Sequence, residues 1–202
     1  MRKGGNICIA IGMALIVAAL ALVAQNYSEN RRAQFASDKV MEQVVENIEQ
    51  AELKVVSQEN GTASVPDPYD PTMTEKEIDG IRYVGYLSIP VLELELPVVS
   101  EWSYENLKIS PCRYYGSSKS DNLVIAAHNY RCHFSSIKSL KPGDEVIFTD
   151  MDGLATRYEV TATEVLNPTA VEDMTSGEYD LTLFTCTYGG ENRITVRCDE
   201  KT

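Results

Sequence analysis

The chain has 202 residues, enough for one catalytic-sized domain beside an N-terminal stretch whose composition is not globular. A formal net charge of −12 with no cluster of Lys and Arg excludes a nucleic-acid-binding protein, because a phosphate-binding surface must replace counterions with cations. Five cysteines without a C-x-x-C pair exclude a zinc ribbon and a disulfide-stapled scaffold, leaving Cys112 with Cys132 as one pairing to consider outside the cell.

From Gly4 to Ala24 no residue is charged and nearly all are apolar. A helix of about 20 such residues spans a bilayer. Arg2, Lys3 and the small residues of Ala19-Leu20-Ala21 also fit a cleaved signal peptide, but the run exceeds the usual ~7–15-residue signal core, so it reads as a retained anchor. Residues 1–24 are therefore expected to form a cytoplasmic tip and signal-anchor. Arg31 and Arg32 answer Arg2 and Lys3 across the span, so charge barely sets the orientation. A short tail before an immediate apolar run places the bulk of the chain outside.

Over residues 25–56, Val40, Val44, Ile48, Ala51 and Val55 recur at helical spacing among Glu and Gln, predicting an amphipathic juxtamembrane helix or, equally, a solvated stalk. Gly61, Pro66, Pro68 and Pro71 among small polar residues mark residues 57–77 as a linker. Residues 78–202 are expected to be the catalytic domain, and its pattern is mostly β. Leu92, Leu94 and Leu96 alternate with Glu93 and Glu95 as in a half-buried strand, and Pro97 confines that strand to an edge or an end. Further strands are expected at Tyr83 to Ile89, Leu123 to Ala127, Glu145 to Thr149, Leu154 to Leu166, Leu181 to Thr187 and Arg193 to Cys198, with a hairpin turn at Asp152-Gly153. Only Ser135 to Leu140 offers a helical turn, so the strands are expected to pair in a closed, barrel-like sheet.

Two histidines restrict imidazole chemistry to His128 and His133. His128 closes the apolar run Leu123-Val124-Ile125-Ala126-Ala127, whereas His133 follows Arg131-Cys132 in what reads as a polar loop. Cys186 ends the apolar strand Leu181-Thr182-Leu183-Phe184-Thr185, and Gly189-Gly190 then allow a tight return to Arg193. Alternation puts Arg193, Thr195 and Arg197 on one face of the last strand, with Arg197 farther from the loop and facing solvent. A cation beside a cysteine favours the thiolate, its reactive form. Singly, each of these residues also fits an inert core cysteine or a surface arginine.

Thr182-Leu183-Phe184-Thr185-Cys186 followed by Arg193 resembles the sortase signature T-L-x-T-C with its downstream Arg. The strand ending in Ala127-His128-Asn129, the segment Gly85-Tyr86-Leu87-Ser88-Ile89-Pro90 and the lead-in Leu140-Lys141-Pro142-Gly143-Asp144 are similar to that family as well. The resemblance implies an eight-stranded barrel and an extracellular cysteine transpeptidase that cuts an L-P-x-T-G-like sorting signal through a thioacyl intermediate. It implies Cys186 as nucleophile, His128 as proton donor to the leaving amine and Arg193 as stabiliser of substrate and oxyanion, with Thr185, Asn129 and Thr187 beside the substrate. The partners it implies are surface or pilin proteins bearing the signal, and a peptidoglycan precursor or pilin lysine as acceptor amine. It implies no cofactor and no metal. Alternatives are a hydrolytic extracellular cysteine protease, a zinc site of His128, Cys132 and His133 with Cys186 or Cys198, and a non-catalytic surface module.

Overall fold

A computed structural model describes residues 3–57 and 72–201. Most of the expected linker, and the side chains of Cys8 and Val55, lie outside the described residues. One helix, α1 (Lys3–Ser57), runs unbroken through both the apolar run and the segment expected to be juxtamembrane. At 1.5 Å per residue it is about 80 Å long. Its N-terminal part is apolar and long enough to cross a membrane.

Nine strands follow: β1 (Lys76–Ile78), β2 (Ile81–Ile89), β3 (Leu94–Val99), β4 (Cys112–Tyr115), β5 (Leu123–Ala126), β6 (Glu145–Asp150), β7 (Ala155–Leu166), β8 (Leu181–Cys186) and β9 (Arg193–Glu200). Strands β2 to β9 pair in the order β2-β3-β4-β5-β8-β9-β7-β6, and β6 returns to β2, which closes an eight-stranded barrel with β1 added on the outer side of β2. The barrel abolishes the free edges that an open sheet would leave. Closure is tight at Gly85, whose φ of 149° lies in the region that favours glycine and whose α-carbon faces the Thr149 carbonyl too closely for a Cβ. Most pairings are antiparallel, but β3–β4 and β5–β8 are parallel.

Several boundaries follow local chemistry. Leu92 ends a 3₁₀ turn, Pro90–Leu92, and Glu93 adopts a left-handed conformation, so the strand of alternating leucines starts at Leu94. Strand β3 continues past Pro97 because its only ladder partner on the β4 side is at Val99, which leaves Pro97 with no donor required there. The Asp152-Gly153 turn forms as expected: the Asp150 carboxylate accepts from the backbone of Asp152 and Leu154, and Gly153 has φ of 86°.

Alternation along the strands builds two cores. Leu123, Ile125, Leu181, Leu183, Val196 and Cys198 fill the barrel interior with Val84, Leu87, Phe148 and Met73. Val124, Ala126 and Phe184 point outward and join Tyr83, Val99, Cys112 and Met151 in a second cluster outside the sheet. That outer cluster is covered by Val40, Val44 and Ile48 of α1, so the helix is packed on the barrel there and is not a solvated stalk. Ala33 and Ser37 extend the same buried stripe toward the apolar N-terminal half of the helix. Lys39 adds an exposed ion pair with Asp79 at 2.7 Å, a contact of small energetic weight.

Val44→Ala is expected to destabilise the folded chain by about 2 kcal/mol, the order for truncating a fully buried aliphatic residue. Phe35→Ala, at a position 73% exposed, is expected to change stability by less than about 0.5 kcal/mol. Chemical denaturation of the two variants separates a packed helix from a free one.

Candidate active site

The site begins with the parallel pairing of β5 and β8. Val124 stands opposite Thr182 and Ala126 opposite Phe184, and the Ala127 N–H extends the ladder to the Phe184 carbonyl at 3.1 Å. Two residues farther along each strand come His128 and Cys186. Both continue the outward-facing parity of Val124 and Ala126 on one strand and of Phe184 on the other, so both side chains leave the barrel on its outer face at the same level. Antiparallel pairing of β8 with β9 sets Arg193 directly opposite Cys186. Directly paired residues have Cβ atoms about 5 Å apart on one face.

The turns at both strand ends are held by hydrogen bonds. After β8, the Thr187 N–H donates to the Asn192 carbonyl at 2.9 Å, the Asn192 N–H donates to Thr187 Oγ1 at 3.0 Å, and Gly189 and Gly190 both take positive φ, as a short return requires. After β5, the His128 carbonyl accepts from Phe134 N–H at 3.2 Å and the Tyr130 carbonyl from His133 and Ser135. The Tyr130 ring lies 4.8 Å from that of His128 and 5.5 Å from that of His133. Burial is the main cause that pushes the His128 imidazole below its usual pKa; Lys108 adds to the effect and Glu29 opposes it.

A cleft of about 1100 Å³ opens over these residues. His128, Asn129, Cys186 and Thr187 line it, as do Tyr130, Tyr188, Lys138 and residues of α1. Thr185 does not: it is buried, and its hydroxyl donates to the Ala127 carbonyl at 2.8 Å, tying β8 to the segment that carries His128. Arg193 does not line the cleft either: it is partly exposed, and its Nη1 donates to the carbonyls of Gly190 and Asn192 at 3.1 and 3.2 Å. The fold thus brings Cys186 and His128 into one cleft with Asn129 and Thr187 on its wall, sets Arg193 opposite Cys186 on the neighbouring strand but outside the cleft lining, and leaves Thr185 buried behind it. Sequence reasoning missed Tyr130 and the α1 residues. An aromatic residue two places after a strand-end His was a readable signal for the first.

Two expectations are corrected. His133 is not in a polar loop: it is fully buried at the start of the segment Phe134–Ser139, and burial, with His128 adding to the effect, lowers its pKa to about 4. Arg197 does not face solvent either. Its guanidinium donates to Glu164, to Thr182 Oγ1 and to the Asp173 carbonyl at 2.7, 3.0 and 2.8 Å, and lies over the Tyr179 ring. The helical turn Val171–Thr175 and Tyr179 cover that part of β9, a closure that alternation alone does not reveal.

The cysteines Cys112, Cys132, Cys186 and Cys198 are free thiols, so the Cys112–Cys132 pairing does not form. Cys112 and Cys198 are buried, and burial raises their thiol pKa values, that of Cys112 to about 12. Among the described residues, no three of His, Cys, Asp and Glu gather around a point that suits a metal ion.

A family model described as the Sortase domain matches residues 87–201, more than half of the chain and a span that includes His128, Cys186 and Arg193. The chain belongs to the sortase family. It is 32% identical over 120 residues to Sortase A of Bacillus anthracis, a match covering 54% of each chain, so this sortase spans about half the length of the curated relative it matches. Its fold is similar to Sortase A from Corynebacterium diphtheriae, with a TM-score of 0.56, 21% identity and coverage of 94% of this chain and 96% of that one. Sortase C from Clostridium perfringens SM101 is similar with a TM-score of 0.53, 22% identity and coverage of 90% and 99%. At these identities the structural likenesses speak for the sortase barrel alone.

The two arginines of β9 can be told apart by experiment. Arg197→Lys is expected to cost about 2 kcal/mol in unfolding free energy, since a lysine cannot reproduce the planar fork that serves Glu164, Thr182 and the Asp173 carbonyl together. Arg193→Lys is expected to leave unfolding unchanged and to lower turnover. Denaturation midpoints and initial rates measured on both variants check the assignment.

Proposed function

We propose that this sortase is a membrane-anchored cysteine transpeptidase in which Cys186, His128 and Arg193 act as one site. The register that sets His128 level with Cys186 is the observation that carries the reading. Below its usual pKa, His128 is mostly neutral near pH 7 and suited to accept a proton. In the proposed sequence the Cys186 thiol passes its proton to His128 as Sγ attacks the scissile carbonyl. The tetrahedral intermediate carries its negative charge toward the Arg193 guanidinium. Collapse breaks the C–N bond, the imidazolium gives its proton to the leaving amine, and a thioester remains on Cys186. An acceptor amine then attacks the thioester and yields its proton to His128. Expulsion of sulfur, reprotonated from His128, restores the thiol and completes a new amide. Protein groups handle every bond and proton in this sequence, so no cofactor or metal enters it.

The donor substrates in this reading are surface or pilin proteins with an L-P-x-T-G-like sorting signal, and the acceptor is the amine of a peptidoglycan precursor or a pilin lysine. Family membership supports this substrate class. The apolar start of α1 supports a single-pass anchor, and a reaction on surface proteins requires the barrel to lie outside the cell. Asn129 and Thr187, on the cleft wall, are proposed to contact the sorting signal.

Hydrolysis and transpeptidation differ only in what resolves the thioester. With a sorting peptide as donor, hydroxylamine is expected to raise the rate of leaving-peptide release and to convert the product to a hydroxamate, and Cys186→Ala is expected to give neither. Purely hydrolytic product at saturating amine would replace this reading with that of a protease.

A further inference from the structure

The reaction as written leaves unused the wall of the cleft that α1 provides. Leu22, Val23, Asn26 and Asn30 line the cleft that holds His128 and Cys186. Leu22 and Val23 belong to the uncharged run that ends at Ala24, and the helix continues without a break. The barrel is fixed at this height. Asn30 Oδ1 accepts from the Arg131 N–H at 2.9 Å, the Cys132 thiol contacts the Asn30 carbonyl at 3.5 Å, and Ala33, Ser37, Val40, Val44 and Ile48 bury the next turns.

A helix rises 1.5 Å per residue, so Asn26 lies about 3 Å and Asn30 about 9 Å beyond Ala24 along the axis. The headgroup region on one side of a bilayer is roughly 5–8 Å thick. The cleft therefore opens at the level of the headgroups when α1 is in the membrane. The chemistry at that level suits such a surface. Arg31, Arg32, Arg131 and Lys138 are exposed there, against the acidic Glu29 and Glu191, in a chain whose net charge is −12. Tyr27 and Tyr188 are 62% and 93% exposed, as suits rings that prefer the boundary between lipid and water. Anionic headgroups attract basic residues held within a Debye length of the surface.

We propose that the mouth of the cleft sits in the headgroup layer of the protein's own bilayer, with Arg131, Lys138 and Tyr188 as contacts to anionic phospholipid. This rests on the reading of α1 as a membrane span. The reaction centre then works at a fixed height, so that a substrate chain must present its scissile bond at the membrane surface.

The test uses the full chain in bilayers of phosphatidylcholine and phosphatidylglycerol that contain a nitroxide-labelled headgroup lipid. Trp102 is the only tryptophan, so a Trp102→Phe background admits single reporters. Three are needed: Val23→Trp in the helix, Tyr188→Trp at the cleft mouth and Glu77→Trp as a distant control. Glu77 lies two residues from Asp79, which pairs with Lys39 some 15 residues beyond Ala24, about 22 Å along the helix. The Val23→Trp and Tyr188→Trp chains are expected to lose more than half their emission to the nitroxide, and the Glu77→Trp chain to lose almost none. Quenching in the Val23→Trp chain without quenching in the Tyr188→Trp chain would overturn the proposal and leave the anchor standing. No quenching in any chain would overturn the anchor reading as well. Equal quenching in the Tyr188→Trp and Glu77→Trp chains would show that another face meets the lipid, and would also overturn the proposal. Lys138→Trp reads the same surface if Tyr188→Trp does not fold.

Discussion

Everything in the site depends on two parallel neighbours, β5 and β8. Parallel pairing keeps strand ends of the same polarity side by side, so what leaves the C-terminal end of one strand meets what leaves the other. Here those residues are His128 and Cys186. The pair is tied at its last rung by the Ala127 N–H and by the Thr185 hydroxyl, which donates to the Ala127 carbonyl at 2.8 Å. A buried bond of this kind contributes about 1 kcal/mol, but its larger effect is geometric, because it fixes the peptide immediately before the His128 imidazole. A slip of one residue in this register would turn either His128 or Cys186 into the barrel.

The antiparallel partner of β8 supplies the cation. A short, glycine-containing return brings Arg193 opposite Cys186, and the arginine is held by the loop's own carbonyls. The neighbouring Arg197, on the same face of β9, has a different task. Its three hydrogen bonds fasten the turn Val171–Thr175 and Glu164 to the sheet, so one strand carries a structural arginine beside the arginine proposed for chemistry. The helix α1 adds a third layer by covering the outward apolar residues that the closed sheet cannot bury by itself.

Much of this was legible in the sequence, because period-two alternation and strand-end chemistry are local signals. The leucines around Glu93 and Glu95, the apolar run before His128 and the T-L-x-T-C strand each announced their elements. Closure of the sheet follows from the many strands and few helical turns, and the family resemblance adds their number; the strand order that sets His128 level with Cys186 is not written in any one segment. What stayed hidden was tertiary. Cys112–Tyr115 is four residues between a proline and a glycine, too short to show alternation, yet it supplies a full barrel strand. His133 reads as polar by its neighbours Arg131 and Cys132, but the turn that follows folds it into the core. Arg197 reads as solvent-facing because nothing local reveals that Asp173 and Tyr179 will cover it. The stripe Val40, Val44 and Ile48 shows a helix with an apolar face, and only the barrel shows what that face meets.

The central claim is that His128 and Cys186 form one chemical unit, and the pH dependence of Cys186 alkylation tests it most directly. Iodoacetamide would be applied across a pH series and the modified peptide containing Cys186 quantified by mass spectrometry. Since burial holds the His128 imidazole below its ordinary value of about 6.5, the native chain is expected to show an inflection below that pH. That inflection should vanish in His128→Ala while persisting in Arg197→Lys. An identical profile in the native chain and in His128→Ala would show that the two residues do not communicate, and would contradict the account.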